Sequence, residues 1–434
     1  MKNFELEISH PRPSSAAARR SLHIVHRAPR VARRAFRGAR PSTASARRLL
    51  SPVFVLLLAA FCLPPAADCS PPAAHYWEKQ KSGTLAWLRG VYFVDGERGW
   101  AVGAKGALLS TADGGASWQP RRAPTEDALR DIFFTDERTG WIVCERSVYL
   151  PRAKDEARAY LLKTEDGGEK WSRVEVTGID LEAVLARVAF ADAEHGWAAG
   201  EFGALYATAD GGRTWARQRV PTRHLLLGAH FHDARTGWLV GAGATLLHTS
   251  DGGDTWRAGR IEAAKKTATR ARTVSPSATN DSSPPPQREF APTSSPSPSP
   301  SSSPPPPRSP SSPPQSSPQS IDASARFNAV TFADARRGWA VGAGGAVYAT
   351  DDGGATWRAQ ESGVAVDLFD VKFFDAREGY AAGDGGTVIR TADGGATWQP
   401  ERTNTTHRLE RLFFTGRARG WAVGFGGTII TFKE

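Results

Sequence analysis

The chain has 434 residues, with 55 Lys plus Arg, 45 Asp plus Glu, 43 Gly, 30 Pro, 14 Trp and 3 Cys. So many glycines argue against a protein of long helices, and three cysteines exclude a disulfide-stapled scaffold. The net charge of +10 suggests nucleic acid until it is localised: residues 1–70 hold 12 of the basic and 3 of the acidic side chains, the remainder is close to neutral, and no nucleic-acid partner is expected for the folded part.

Residues 1–74 read as a basic N-terminal region and targeting segment. No acidic residue lies between Glu7 and Asp68, and eleven arginines run from Arg12 to Arg48. An apolar run from Val53 to Leu63 follows and Pro64-Pro65 ends it. It is too short for an ordinary spanning helix. Basic region, short apolar segment and small residues together describe an export signal. The expected location is the periplasm or the extracellular medium, alternatively the thylakoid lumen, with membrane attachment through an uncleaved segment left open. Cleavage near 69–76 would leave Cys144 as the only certain cysteine, hence no internal disulfide.

From there the tryptophans give the organisation. Trp77, Trp118, Trp171, Trp215, Trp256, Trp357 and Trp398 form one series. Trp100, Trp141, Trp197, Trp238, Trp339, Tyr380 and Trp421 form a second, each preceded by Gly. Only Trp87 belongs to neither. Four of six intervals in each series are close to 41 residues, the period of a four-stranded propeller blade. In the clearest copy, Asp367–Phe374 reads as an inner strand, Tyr380–Ala382 as a second and Thr387–Thr391 as a third. The hairpin Thr391-Ala-Asp-Gly-Gly-Ala-Thr-Trp398 then leads to an outer strand.

The ends are complementary. The last copy stops at residues 428–434 without its Trp strand, whereas an extra Trp77-Glu-Lys-Gln-Lys-Ser-Gly segment precedes the first. An N-terminal strand that completes the C-terminal blade satisfies both ends and removes exposed edges. The predicted fold is all-β: a seven-bladed β-propeller over residues 75–434.

Two copies are stretched. About 15 extra residues lie between Cys144 and Leu161, and Trp256 to Trp357 spans 101 residues. Residues 281–320 contain 15 Pro and 15 Ser, too little apolar surface to offset the entropy of ordering. A Ser/Pro-rich disordered insertion is therefore expected at about 260–325. Both insertions fall where the second strand joins the third or the outer strand joins the next blade. Those connections emerge on one face, which makes that face the better candidate for a partner.

Six hairpins repeat Thr-x-Asp-Gly-Gly-x-x-Trp around Asp113, Asp166, Asp210, Asp251, Asp352 and Asp393, ending at Trp118, Trp171, Trp215, Trp256, Trp357 and Trp398. A short carboxylate before two glycines can accept turn amides while Gly supplies positive φ. Six radially dispersed carboxylates make poor catalysts, so these are read as structural. Aligned inner strands place Gly90, Asp131, Arg187, Gly228, Ala329, Asp370 and Arg411 at one position. If it faces the channel, Asp131 with Arg187 and Asp370 with Arg411 could pair between adjacent blades, as channel lining or as a ligand ring. Connections on the elaborated face offer Arg121, Arg122, Arg217, Arg219, Arg223, Arg402 and Arg408 as a docking patch for a carboxylate or peptide; solvated surface charge is the alternative. No histidine cluster suits a metal, and no nucleophile elbow or phosphate loop appears. No catalytic residue, metal or cofactor is assigned.

Gly-Trp-Ala-Val-Gly at 99–103, 338–342 and 420–424, combined with the Asp-Gly-Gly turns, resembles the photosystem II stability/assembly factor family and its bacterial relatives. The resemblance covers about residues 75–258 and 326–434. It implies a seven-bladed, non-enzymatic scaffold, lumenal or on the periplasmic side. An arginine-rich patch would bind a membrane-protein subunit or peptide segment, a photosystem II reaction-centre protein in photosynthetic members. A monomer is the expected state. The same hairpin occurs in sialidases and xyloglucan-active hydrolases, so a glycan-binding or glycoside-hydrolase-like propeller is the alternative.

Overall fold

A computed structural model describes residues 77–149, 153–262 and 325–433. The segment read as a targeting signal and the core of the Ser/Pro-rich insertion lie outside the described residues. The described chain forms seven sheets and, apart from short 3-10 turns, no helix.

Blades 1 to 7 begin with the inner strands Leu88–Phe93, Ala128–Phe134, Leu185–Phe190, Leu226–Phe231, Phe327–Phe332, Leu368–Phe373 and Leu409–Phe414. Each sheet then runs outward through antiparallel neighbours. The inner strand of blade 7 packs against that of blade 1, so the sheets return on themselves. Trp77–Gln80 is the outer strand of blade 7, antiparallel to Ile429–Lys433 with Trp77 opposite Phe432 and Gln80 opposite Ile429. The ragged ends do complete one blade. Blade 5 carries a fifth strand: Arg260–Ile261, leaving blade 4, runs parallel to Thr356–Gln360 and thereby fastens two blade edges together.

The core is a set of aromatic spokes. The phenylalanine ending each inner strand lies between two other rings. Phe93 stacks on Trp421 of the preceding blade at 3.6 Å and stands edge-on to Trp118 of its own at 5.9 Å. Phe231 repeats this with Trp197 and Trp256, Phe332 with Trp238 and Trp357, and Phe373 with Trp339 and Trp398. In blade 7 the edge partner of Phe414 is Trp77, and Tyr380 takes the stacking place. Both tryptophan series thus serve the joints between blades. Each aromatic pair contributes about 0.5–1.5 kcal/mol beyond its buried area.

The Gly before each second-series ring follows from this packing. A Cβ on Gly99 would lie 2.5 Å from the Phe93 ring, so only hydrogen fits beneath the spoke.

Candidate partner-binding face

The Asp-Gly-Gly hairpins form closed local networks. In the first, Thr111 Oγ1 donates to Asp113 Oδ1 at 2.8 Å and accepts from Gly115 N–H at 2.8 Å. Asp113 also accepts from the Ser117 N–H and hydroxyl. The Ser117 hydroxyl, then its amide, hold the Asp113 carboxyl down at about 2. Asp393 is held at about 2 by Thr397 in the same way. At Asp166 the second hydroxyl is replaced by Lys170, which offers only its amide. Gly115 has φ of 86°, a conformation a side chain would strain. With Oδ1 engaged locally at Asp166 and both oxygens engaged where a second hydroxyl is present, these carboxylates have the geometry of turn ties.

A second aspartate series follows the inner strands. Asp95, Asp136, Asp192, Asp233, Asp334 and Asp375 each accept the amides two and three residues ahead, as Asp95 does from Glu97 and Arg98. Both turn series share a face, since Gly114 N–H donates to Glu97 O. The remaining connections form the opposite face.

The aligned inner-strand position is a β-bulge in every blade. It faces the channel, but the pairing differs from the expected neighbours. Arg411 Nη2 reaches Asp131 Oδ1 at 2.6 Å, both side chains buried. Blade 1 lies between them, and its residue at this level is Gly90, so the guanidinium can pass. The other Asp131 oxygen accepts from Val188 N–H of the next blade. Asp370 accepts from Val371 N–H and from Leu412 N–H of the next blade. Burial pushes its carboxyl above the usual range. Arg187 pairs with neither aspartate.

On the connection side of the bulge the channel has a different mouth. Trp87, the tryptophan outside both series, donates Nε1–H to Glu410 at 3.0 Å and stands edge-on to Phe425. The Arg89 guanidinium lies over the Trp87 ring, 4.3 Å from its centroid. Its buried Nε has no hydrogen-bond partner. Burial, then the Arg130 charge, lower its pKa. Arg130 is neutralised by Glu145, which also takes Arg158. Arg89 therefore carries the one cation of this cluster without an ion pair among the described residues.

Exposed apolar side chains mark the same face. Among the described residues the large exposed hydrophobics are Leu85, Val148, Tyr149, Leu181, Phe202 and Phe425, with Tyr149 92% and Leu85 89% accessible. All six occupy second-to-third-strand or outer-to-inner-strand connections. Phe202 holds its ring out from a left-handed turn residue with φ of 56°. Large exposed apolar side chains gathered on one side of a protein are a mark of interaction surfaces, whereas scattered ones are ordinary.

The arginines singled out from sequence are spread over blades 1, 3, 6 and 7. Arg121 reaches Glu169 of blade 2 at 3.6 Å and Ser110 at 2.7 Å, away from the mouth. Arg122, Arg217, Arg219, Arg223 and Arg402 are exposed on blades 1, 3 and 6. Arg408 does approach the mouth, 4.3 Å over Phe369, but Asp384 holds it through two hydrogen bonds. Arg89 and Trp87 were missed. The signal was present: a tryptophan the repeat does not need, two residues before an arginine at the head of an inner strand.

Fold and hairpins together define a closed, seven-bladed Asp-Gly-Gly propeller. The chain belongs to the family described as Photosynthesis system II assembly factor YCF48, whose profile matches residues 70–178, 213–281 and 359–433. No curated protein sequence matches the chain. Among solved structures it is similar to one described as YCF48 bound to D1 peptide, at 18% identity and a TM-score of 0.57 over 82% of this chain and 97% of that one. YCF48 from Cyanidioschyzon merolae gives 20% identity and 0.56 over 82% and 98%. The GH74 enzyme of Niastella koreensis gives 12% and 0.54, with 82% of this chain covering 53% of that one. These likenesses bear on the fold alone.

Proposed function

We propose that this chain is a non-enzymatic, extracytoplasmic scaffold that docks a peptide segment of a membrane-protein subunit on the face around Arg89, Trp87 and Phe425. A photosystem II reaction-centre protein is the partner class. Support comes from family membership and from a relative described as bound to D1 peptide. The observation that carries it is the mouth itself: a guanidinium without an ion pair, stacked on an aromatic ring that meets the exposed Phe425, on the face that carries the other exposed apolar side chains. A peptide supplies both complements, a carboxylate or carbonyl for Arg89 and side chains for the arc. Arg is the residue that captures a planar carboxylate in two parallel hydrogen bonds. The basic N-terminal region, without an acidic residue between Glu7 and Asp68, and its apolar run support export.

Titration of a fluorescent D1-derived peptide into the propeller tests this. Arg89→Glu should weaken binding at least about tenfold, a loss of about 1.4 kcal/mol, at unchanged melting temperature. Undiminished affinity, or retention of xyloglucan oligosaccharides in place of peptide, would overturn the reading.

A further inference from the structure

Beyond the bulge level, away from the mouth, the channel holds a cavity of about 310 Å³. Its lining starts at the bulge residues Asp131, Arg187, Gly228, Ala329, Asp370 and Arg411 and includes none of the residues before them. Of those six, only Arg187 is not buried. Two residues further along the strands, Tyr92, Phe133, His230 and Lys372 are partly exposed. The channel is therefore pinched at the Asp131–Arg411 pair and opens toward the Asp-Gly-Gly side, opposite the docking face.

The charges in this cavity do not balance. Both acids are engaged: Asp131 by Arg411 and an amide, Asp370 by two amides. Asp370 feels the Lys372 charge, but no ion pair joins them. Arg187 and Lys372 thus face the space with no hydrogen bond or ion pair among the described residues. His230 lines the same cavity, and desolvation keeps it neutral, near 3. Unpaired cations in a confined site are costly unless an anion joins them. Facing them is an aromatic wall, where the Tyr92 ring lies 5.3 Å from Phe133 and 4.7 Å from Phe413. Tyr92 is fixed by its hydroxyl bond to Phe134 O.

We propose that this cavity binds a small organic anion, a carboxylate on a flat apolar body, with Arg187 and Lys372 taking the carboxylate and the Tyr92, Phe133 and Phe413 rings taking the body. The volume is at the lower end of ligand pockets, which fits one ring and rejects a peptide. The site is separate from the docking face, so ligand and peptide can be held together, and failure of either leaves the other standing.

Calorimetric titration of the propeller with benzoate, benzamide and inorganic phosphate tests it. Benzoate is expected to bind with a Kd of about 1 mM or tighter, a free energy near −4 kcal/mol, and benzamide at least tenfold more weakly. Arg187→Met and Lys372→Met should each cost tenfold or more. Arg122→Met, outside the cavity lining, should cost nothing. The His230 ring signals should move with benzoate in a histidine NMR spectrum, and its protonation should become easier. The proposal fails if benzoate does not bind, if benzamide or phosphate binds as well, or if either Met variant, melting like the parent, binds benzoate unchanged.

Discussion

Trp77 stands edge-on to Phe414 with ring centroids 5.9 Å apart, although almost the whole propeller separates them in sequence. Within blade 1 the same relation, at the same distance, joins Trp118 to Phe93. The first described residue of the propeller thus does for the last blade what a hairpin tryptophan does for the others. Its backbone is tied as well, since Trp77 N–H donates to Arg402 O.

Ring closure is therefore the first expectation. Trp77 is fully buried, and replacing it with Ala should cost about 3–5 kcal/mol, the range for a large aromatic in a packed core. The exposed neighbour Glu78 should tolerate Ala within about 0.5 kcal/mol. Urea unfolding of the two variants checks the contrast. Equal stabilities would mean that the N-terminal strand does not close the ring.

The Asp131–Arg411 pair gives the second. Asp131→Ala would strand a buried guanidinium, a loss of about 3–5 kcal/mol. The Asp131→Leu, Arg411→Met double variant should be clearly more stable than Asp131→Ala, because no charge is left behind. A double variant as unstable as the single would show that packing, not charge, is lost. Gly90→Ala belongs to the same test: its Cβ would come within 2.9 Å of Val102 Cγ2 and 3.2 Å of Ile132 N, so it should destabilise on its own.

Much of this was legible in the sequence, and the limits have physical causes. The tryptophan spacing and the half-built ends carry the fold, because a repeat must fill the same hole seven times. The phenylalanines of the spokes escape notice, since an aromatic at the end of an apolar strand is unremarkable until its partners are known. The Asp95 series is hidden among ordinary turn residues. At the channel, alignment finds the right level but not the partner: Arg411 passes neighbouring Asp370 because that carboxylate already takes two amides. The site was missed for the opposite reason. Arginines draw notice in a sequence where they are dense, whereas Arg89 stands alone beside Trp87, and Arg408 is held by Asp384.

Acid stability gives the third expectation. Asp113, Asp375 and Asp393 sit near 2 in the folded chain, below the unfolded aspartate value of about 3.9. A depressed carboxyl stabilises fully above the unfolded value, and that stability is lost as pH falls through the folded one. Unfolding free energy should thus drop between about pH 4 and 2. Asp113→Asn should be less stable at neutral pH and show a shallower drop. A drop of unchanged steepness would remove the hairpin carboxylates from the account.

His230 adds an earlier step. Its folded value, near 3, lies below the ordinary histidine value, so the unfolded chain takes the proton first. Stability should begin to fall below about pH 6.5 and keep falling toward 3. His230→Phe should flatten that upper segment alone. Denaturant midpoints from pH 8 to 4 decide it, and identical profiles for parent and variant would place the imidazole in water.

The docking face is the centre of the account, and amide hydrogen exchange with bound D1-derived peptide tests it most directly. Protection should rise in the connections around residues 82–90, 200–204 and 424–428, with the Asp-Gly-Gly hairpins at 111–118 and 391–398 unchanged. Protection confined to the hairpin side, or none at the Trp87 connection at saturating peptide, would contradict it.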